Sequence, residues 1–244
     1  IEDLSKPEAK LAGLRFNPAT RASSRDKYYT GLAIRPLKSG PAKPVQGLPS
    51  KARMAKLYFS PDGNQAAFAL LTDRESQLWL LDCASGTAKQ VPGVTLTAWG
   101  GDFDINWSEN GDLTVLAAPE KPGAVPTAPL VPAGPNIQEH AGGKASARTY
   151  QDLLKSPQDE AAFEYYSSSQ VVRISKGGKP VRVTPVASYS GVTPSPDGKY
   201  LLVSSVHRPY TYSQTVSSFP EKTEVLTRDG KVVKVLADLP LEEN

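Results

Sequence analysis

Cysteine is all but absent from this 244-residue chain: Cys83 stands alone, which excludes an intrachain disulfide and a cysteine-based metal site. Histidine is nearly as scarce. His140 and His207 are too few to form a zinc cluster. No apolar run approaches the roughly 20 residues needed to span a membrane. Neither charge sign dominates, with 28 Lys and Arg against 25 Asp and Glu and a net charge of +3. That balance argues against nucleic acid or an anionic membrane surface as the partner. Phosphate-loop, dinucleotide and EF-hand patterns are missing, so no metal and no cofactor is implied. A Gly-x-Ser-x-Gly nucleophile elbow is missing too. The nearest string, Ser188-Tyr189-Ser190-Gly191, lacks the first glycine and leads into a strand rather than a helix. The adjacent carboxylates Asp159 with Glu160 and Glu242 with Glu243 read as helix starts or solvated faces. No residue is assigned a catalytic role. The chain opens Ile1-Glu2-Asp3-Leu4 without Met, as a trimmed or truncated product would. A targeting segment upstream is compatible with that start, and the compartment stays open.

What the chain has in quantity is punctuation. Glycine (19) and proline (22) fill about a sixth of the positions, against a usual background of about an eighth. A coiled coil or a helical bundle is excluded as the main architecture. The punctuation is also repetitive. Ser60-Pro61-Asp62-Gly63 returns as Ser195-Pro196-Asp197-Gly198, with a degenerate copy, Ser108-Glu109-Asn110-Gly111, between them. Proline presets φ for a type I turn, aspartate caps backbone N–H groups, and glycine accepts a positive φ. Short apolar runs flank each copy, so each reads as a hairpin between antiparallel strands.

Downstream of the first turn, Gln77–Asp82 and Ala88–Val91 supply a third and a fourth strand around Ala84-Ser85-Gly86-Thr87. Four short antiparallel strands in about 40 residues match a propeller blade. The fold class expected is all-β: a partial β-propeller of three to four four-stranded blades with a Pro-rich and helical insertion. The divisions expected are a lead-in arm (1–27), a partial blade (28–47), a blade (53–91), a blade with an insertion (98–184, insertion 118–168) and a further blade (187–237). The second and third turns are spaced nearly twice as far apart as the first and second; an unrecognised blade or an insertion would fit that gap, and the insertion is the reading favoured. Residues 119–135 are proline-rich and expected to be extended. Ser156-Pro157-Gln158-Asp159-Glu160 carries the marks of a helix start, and a second short helix is expected over Tyr150–Lys155.

Three groups of residues are candidates for binding. His207-Arg208-Pro209-Tyr210 is either a polar connection packed on a neighbouring blade or a cation with aromatics presented at a propeller face. Arg148-Thr149-Tyr150-Gln151-Asp152 is either a helix cap or a substrate contact. The third group is the aromatic set Trp79, Trp99, Trp107, Tyr165 and Tyr166, of which Trp79 and Trp107, on strands, read as core or inter-blade packing.

Taken together, several segments resemble the glutamyl endopeptidase-like branch of the prolyl oligopeptidase family. They are Leu11-Ala12-Gly13-Leu14-Arg15-Phe16-Asn17-Pro18, Phe59-Ser60-Pro61-Asp62-Gly63, Val131-Pro132-Ala133-Gly134-Pro135 and Ala147-Arg148-Thr149-Tyr150-Gln151-Asp152-Leu153-Leu154. Phe163-Glu164-Tyr165-Tyr166, Ser195–Tyr200, His207-Arg208-Pro209-Tyr210 and Phe219-Pro220 extend the match. The resemblance implies a propeller that caps a C-terminal α/β-hydrolase domain of a serine peptidase and filters peptide substrates. On that view the chain is the first part of the propeller, its partners are the remaining blades, the hydrolase domain and a peptide substrate, and none of the family's catalytic residues is carried over. Cleavage after glutamate, which the branch implies, needs a cation near the acidic side chain. Arg208 is the first candidate and Arg148 the second, with His207 and Tyr210 beside Arg208. An open arc of blades also leaves unpaired edges through which an isolated fragment would self-associate. The rival readings are a non-enzymatic propeller that binds or scaffolds a partner and a closed stand-alone four-bladed propeller.

Overall fold

In the computed structural model, residues 7–25, 27–126 and 150–242 are described. The chain opens with a hairpin, β1 (Ala9–Leu11) and β2 (Leu14–Phe16). A second small hairpin follows, β3 (Ala33–Ile34) with β4 (Lys43–Pro44). The first full sheet comprises β5 (Arg53–Phe59), β6 (Gln65–Leu71), β7 (Ser76–Asp82) and β8 (Thr87–Leu96), each antiparallel to the next. The second comprises β9 (Ile105–Trp107), β10 (Leu113–Ala117), β11 (Gln170–Ile174) and β12 (Pro180–Arg182). A single pairing of Leu96 with Ala117 joins the two sheets through β8 and β10. The third comprises β13 (Ser188–Pro194), β14 (Tyr200–Val206), β15 (Glu221–Thr227) and β16 (Val232–Leu239). Three consecutive four-stranded antiparallel meanders are the partial β-propeller that the sequence repeat implies, and among the described residues no sheet closes on itself.

Local chemistry explains the repeat. Ser60 Oγ donates to Asp62 Oδ1 at 2.7 Å, and the Asn64 N–H donates to the same carboxylate oxygen at 3.1 Å. Gly63 takes φ +70°. The copy at Ser195 repeats this bond for bond, with Asp197 Oδ1 accepting from Ser195 Oγ at 2.7 Å and from the Lys199 N–H at 3.1 Å. These bonds hold both carboxyls below the ordinary carboxylate range, Asp197 at about 2, chiefly through the serine hydroxyl and then the backbone N–H. A carboxyl depressed on folding adds stability above its unfolded value of about 4, and that contribution is lost as pH falls through the folded value. The turns should therefore be indifferent to pH above about 4 and loosen only between about 4 and 2. Carboxyl-carbon NMR of Asp197 checks this: the midpoint should lie near 2 and rise toward 4 in Ser195→Ala. A wild-type midpoint at 4 would contradict the bonding.

The sheets meet along their first strands. Trp107 Nε1, on β9, donates to the Tyr58 carbonyl on β5 at 3.1 Å, and Asn106 Nδ2 donates to the Val192 carbonyl on β13 at 2.9 Å. Turns of neighbouring sheets also lock to one another. Lys176 Nζ pairs with Asp62 at 3.1 Å, and the Glu109 N–H donates to the Pro196 carbonyl at 2.9 Å. Apolar side chains fill the space between sheets. Leu96, Ile105, Leu113, Val115 and Val172 are buried between the first and second, and Leu116, Val171, Val192, Leu201 and Val203 between the second and third. β3, β4 and the following residues cover the outer edge of the first sheet. Gln46 bridges Thr87 there, and Leu32 and Ile34 pack with Phe68 and Trp79.

Among the described residues of the insertion one helix forms, α1 (Pro157–Ser167). Ser156 caps it, its Oγ accepting from the Asp159 N–H at 3.2 Å. The second short helix expected over Tyr150–Lys155 does not form. Asp152 has φ +59°, its carbonyl accepts from the Gly13 N–H at 2.9 Å, and its carboxylate accepts from Arg15 Nε at 2.8 Å. The lead-in arm therefore claims this stretch in an extended form that local helix signals cannot overcome. The extended course expected for 119–135 falls largely outside the described residues.

Candidate functional site

The connections β6–β7, β10–β11 and β14–β15 leave the sheets at one end, opposite the repeated turns. The first is short, the second contains α1, and the third runs from His207 to Pro220 with a single 3-10 turn at Val216–Ser218. At this end the arm, α1 and the third connection share one aromatic cluster. Phe163 of α1 is fully buried and meets Trp99, Tyr210 and Phe219 edge-on, with centroids 6.0, 5.3 and 5.6 Å away. Phe16 of β2 stacks on Tyr166 at 5.6 Å. Trp99 Nε1 donates to the Tyr189 carbonyl at 2.8 Å, fixing the cluster to the third sheet.

Beside this cluster lie three of the four sequence candidates. Arg208 Nε donates to Glu164 Oε1 at 2.7 Å, and its Nη1 donates to Glu160 Oε2. Glu160 and Glu164 stand one helical turn apart, so both face the same guanidinium. Tyr210 OH donates to Glu164 Oε1 at 3.2 Å, and the Arg208 guanidinium lies 5.2 Å from the Tyr210 ring centre. The peptide bond between Arg208 and Pro209 is cis. The Glu164 hydrogen bond raises the Arg208 pKa, keeping it a fixed cation. Burial, and then the Glu164 charge, push the Tyr210 phenol well above its usual value, so it remains a hydroxyl. His207 sits to the side, its Nε2 2.9 Å from Asp238 Oδ1 and its Nδ1 2.7 Å from the Arg208 carbonyl. Arg148 lies outside the described residues.

Glu160, Glu164 and Asp238 are the members that sequence reasoning missed. The four-residue spacing of the two glutamates on a capped helix was a legible signal; their pairing with a residue 44 positions away was not. Half of the Arg208 side chain remains exposed, at 52%. An ion pair so placed contributes about 0–1 kcal/mol, so its main effect is geometric: it fixes the third connection against α1. Among the described residues no cluster of metal-ligating side chains occurs, and no helix is long and apolar enough to cross a membrane.

By its own geometry the chain is a β-propeller segment whose irregular connections are gathered at one end. Compared with known proteins, it is 40% identical over 258 aligned positions to a probable chloroplastic glutamyl endopeptidase of Oryza sativa subsp. japonica. It is 37% identical over 257 positions to the Arabidopsis thaliana protein of the same description. Each match covers the whole of this chain and 27% of the relative. Over its whole length the chain is similar to these two proteins described as glutamyl endopeptidases, and it spans about a quarter of their length. No family model matches it. Among solved structures, one of two prolyl endopeptidases aligns with 95% of the chain and 29% of its own length, at a TM-score of 0.49 and 16% identity. An acylaminoacyl peptidase aligns with 78% of the chain and 25% of its own length, at 0.46 and 10%.

Proposed function

We propose that this chain is the non-catalytic propeller portion of a serine peptidase, lying over a hydrolase domain and admitting short or unfolded peptides while excluding folded proteins. The observation that carries the reading is similarity over the whole of this chain, at 40% identity, to about a quarter of a protein described as a probable glutamyl endopeptidase. The gathering of α1 and the third connection at one end supports it, because that end offers a shaped face of cations and aromatics. The blade and arm divisions expected from sequence, together with the remaining blades, belong to this proposal. So does self-association of the isolated chain through its open edges.

Within this reading, Arg208 and Tyr210 face the substrate, with His207 flanking them and Arg148 as a second cation. Arg208 already holds two carboxylates, so a substrate glutamate binds it by displacing Glu160 or Glu164. The test uses the full-length protein. A peptide with one glutamate should be cleaved after it, and the same sequence inside a folded domain should resist. Arg208→Ala should lower kcat/KM for that peptide by roughly tenfold or more, as expected for loss of a charge-assisted hydrogen bond. Equal cleavage of the folded and free sequences sinks the filter. An unchanged kcat/KM in Arg208→Ala removes Arg208 from the substrate site.

A further inference from the structure

We propose that a second site, a cleft at the same end of the first sheet, binds the carboxylate of an acidic peptide. The cleft has a volume of about 770 Å³ and lies between the arm, at Pro18–Arg25 and Tyr28, and the strand ends Arg53, Leu71 and Ser76. That size falls within the range of ligand sites. It is remote in sequence from the Arg208 cluster and does not rest on the peptidase reading.

Two features of the cleft point to an anionic ligand. Ser76 is among the lining residues, and its buried Oγ has no hydrogen-bond partner among the described residues. A buried hydroxyl left unpaired is costly unless an incoming group satisfies it. Arg53 also lines it, with its side chain only 24% exposed and its guanidinium 5.7 Å from the Tyr28 ring centre. Stacking of this kind orients the guanidinium and leaves its edge for an acceptor. The acceptor in place is Asp73 Oδ1, 2.7 Å from Arg53 Nη2. Asp73 sits on the β6–β7 turn with its side chain 83% exposed. A solvated carboxylate on a turn holds such a position weakly, and a ligand carboxylate can exchange with it. Leu71, Pro18 and Ala19 supply apolar wall beside the cation, which suits a carboxylate on a short aliphatic stem. Asp73 lines the site with negative charge, which favours a monoanionic carboxylate over a phosphate dianion.

Fluorescence anisotropy of a labelled hexapeptide with two glutamates, titrated with the full-length protein and checked intact by mass, tests this without reading turnover. The glutamine version of the peptide should bind roughly tenfold more weakly or worse, as should the glutamate peptide to Arg53→Ala. Asp73→Asn should tighten binding several-fold, because it removes the resident competitor. That gain separates ligand binding from a merely structural role of the pair. Circular dichroism confirms that both variants fold. No binding of the glutamate peptide, equal binding of the glutamine peptide, or indifference to both substitutions overturns the proposal. Displacement of the peptide by inorganic phosphate at comparable concentration also overturns it, by assigning the cleft to phosphate.

Discussion

Phe163→Ala should cost the protein about 3–5 kcal/mol, the range for emptying a fully buried aromatic position. Phe163 has no exposed surface and touches three aromatic rings from two other segments. Trp99 precedes the second sheet, Tyr210 and Phe219 belong to the third connection, and Phe163 itself comes from α1. Removing the ring leaves a cavity that these neighbours cannot close together, because Trp99 is pinned to the Tyr189 carbonyl. The loss should appear as a lower urea midpoint. It should also separate α1 from Arg208, so Glu160 and Glu164 would no longer converge on one guanidinium. Arg208→Ala, by contrast, should barely move the midpoint, since its ion pairs are half exposed. A Phe163→Ala loss below about 1 kcal/mol would mean that α1 is held by its ion pairs rather than by packing.

The contrast between these two residues marks what sequence could and could not reveal. The repeated turns were legible because their chemistry is local. Serine, aspartate and glycine sit within four positions, and every bond that shapes the turn joins neighbours. The strands were legible because short apolar runs flank the turns. α1 was legible from Ser156 and Pro157, whose capping bond is also local. Tyr150–Lys155 misled because its fate is set by Gly13 and Arg15, about 140 residues away. Arg208 was picked out as a cation among aromatics, yet the two carboxylates that hold it come from another blade's insertion. The cleft at Arg53 was invisible for the same reason: its two walls, the arm and the β6–β7 turn, are joined only by the fold.

Gly230→Ala should be among the most damaging single-atom changes, costing about 2–5 kcal/mol from a left-handed backbone and a forced displacement together. Gly230 has φ +84°, and a Cβ there would fall 1.6 Å from the Val183 carbonyl oxygen and 2.7 Å from its carbon. Gly63 is the informative control. It too follows an aspartate and has φ +70°, but nothing lies within 4 Å of its Cβ position. Gly63→Ala should therefore cost only the backbone term, about 1–2 kcal/mol. The sequence shows the same Asp-Gly step at both places, and only packing separates them. At Gly230 the β15–β16 turn is wedged against the second sheet, with Arg228 Nη2 donating to Asp112 at 3.0 Å and Arg173 reaching Asp229 at 3.3 Å. Moving the turn away from Val183 strains both contacts, so the damage should reach the seam between the second and third sheets. Urea midpoints of the two variants decide the matter. If Gly63→Ala loses as much as Gly230→Ala, the close approach of the third sheet to Val183 carries no energy, and the seam is held by the apolar layer of Leu116, Val171, Leu201 and Val203 alone.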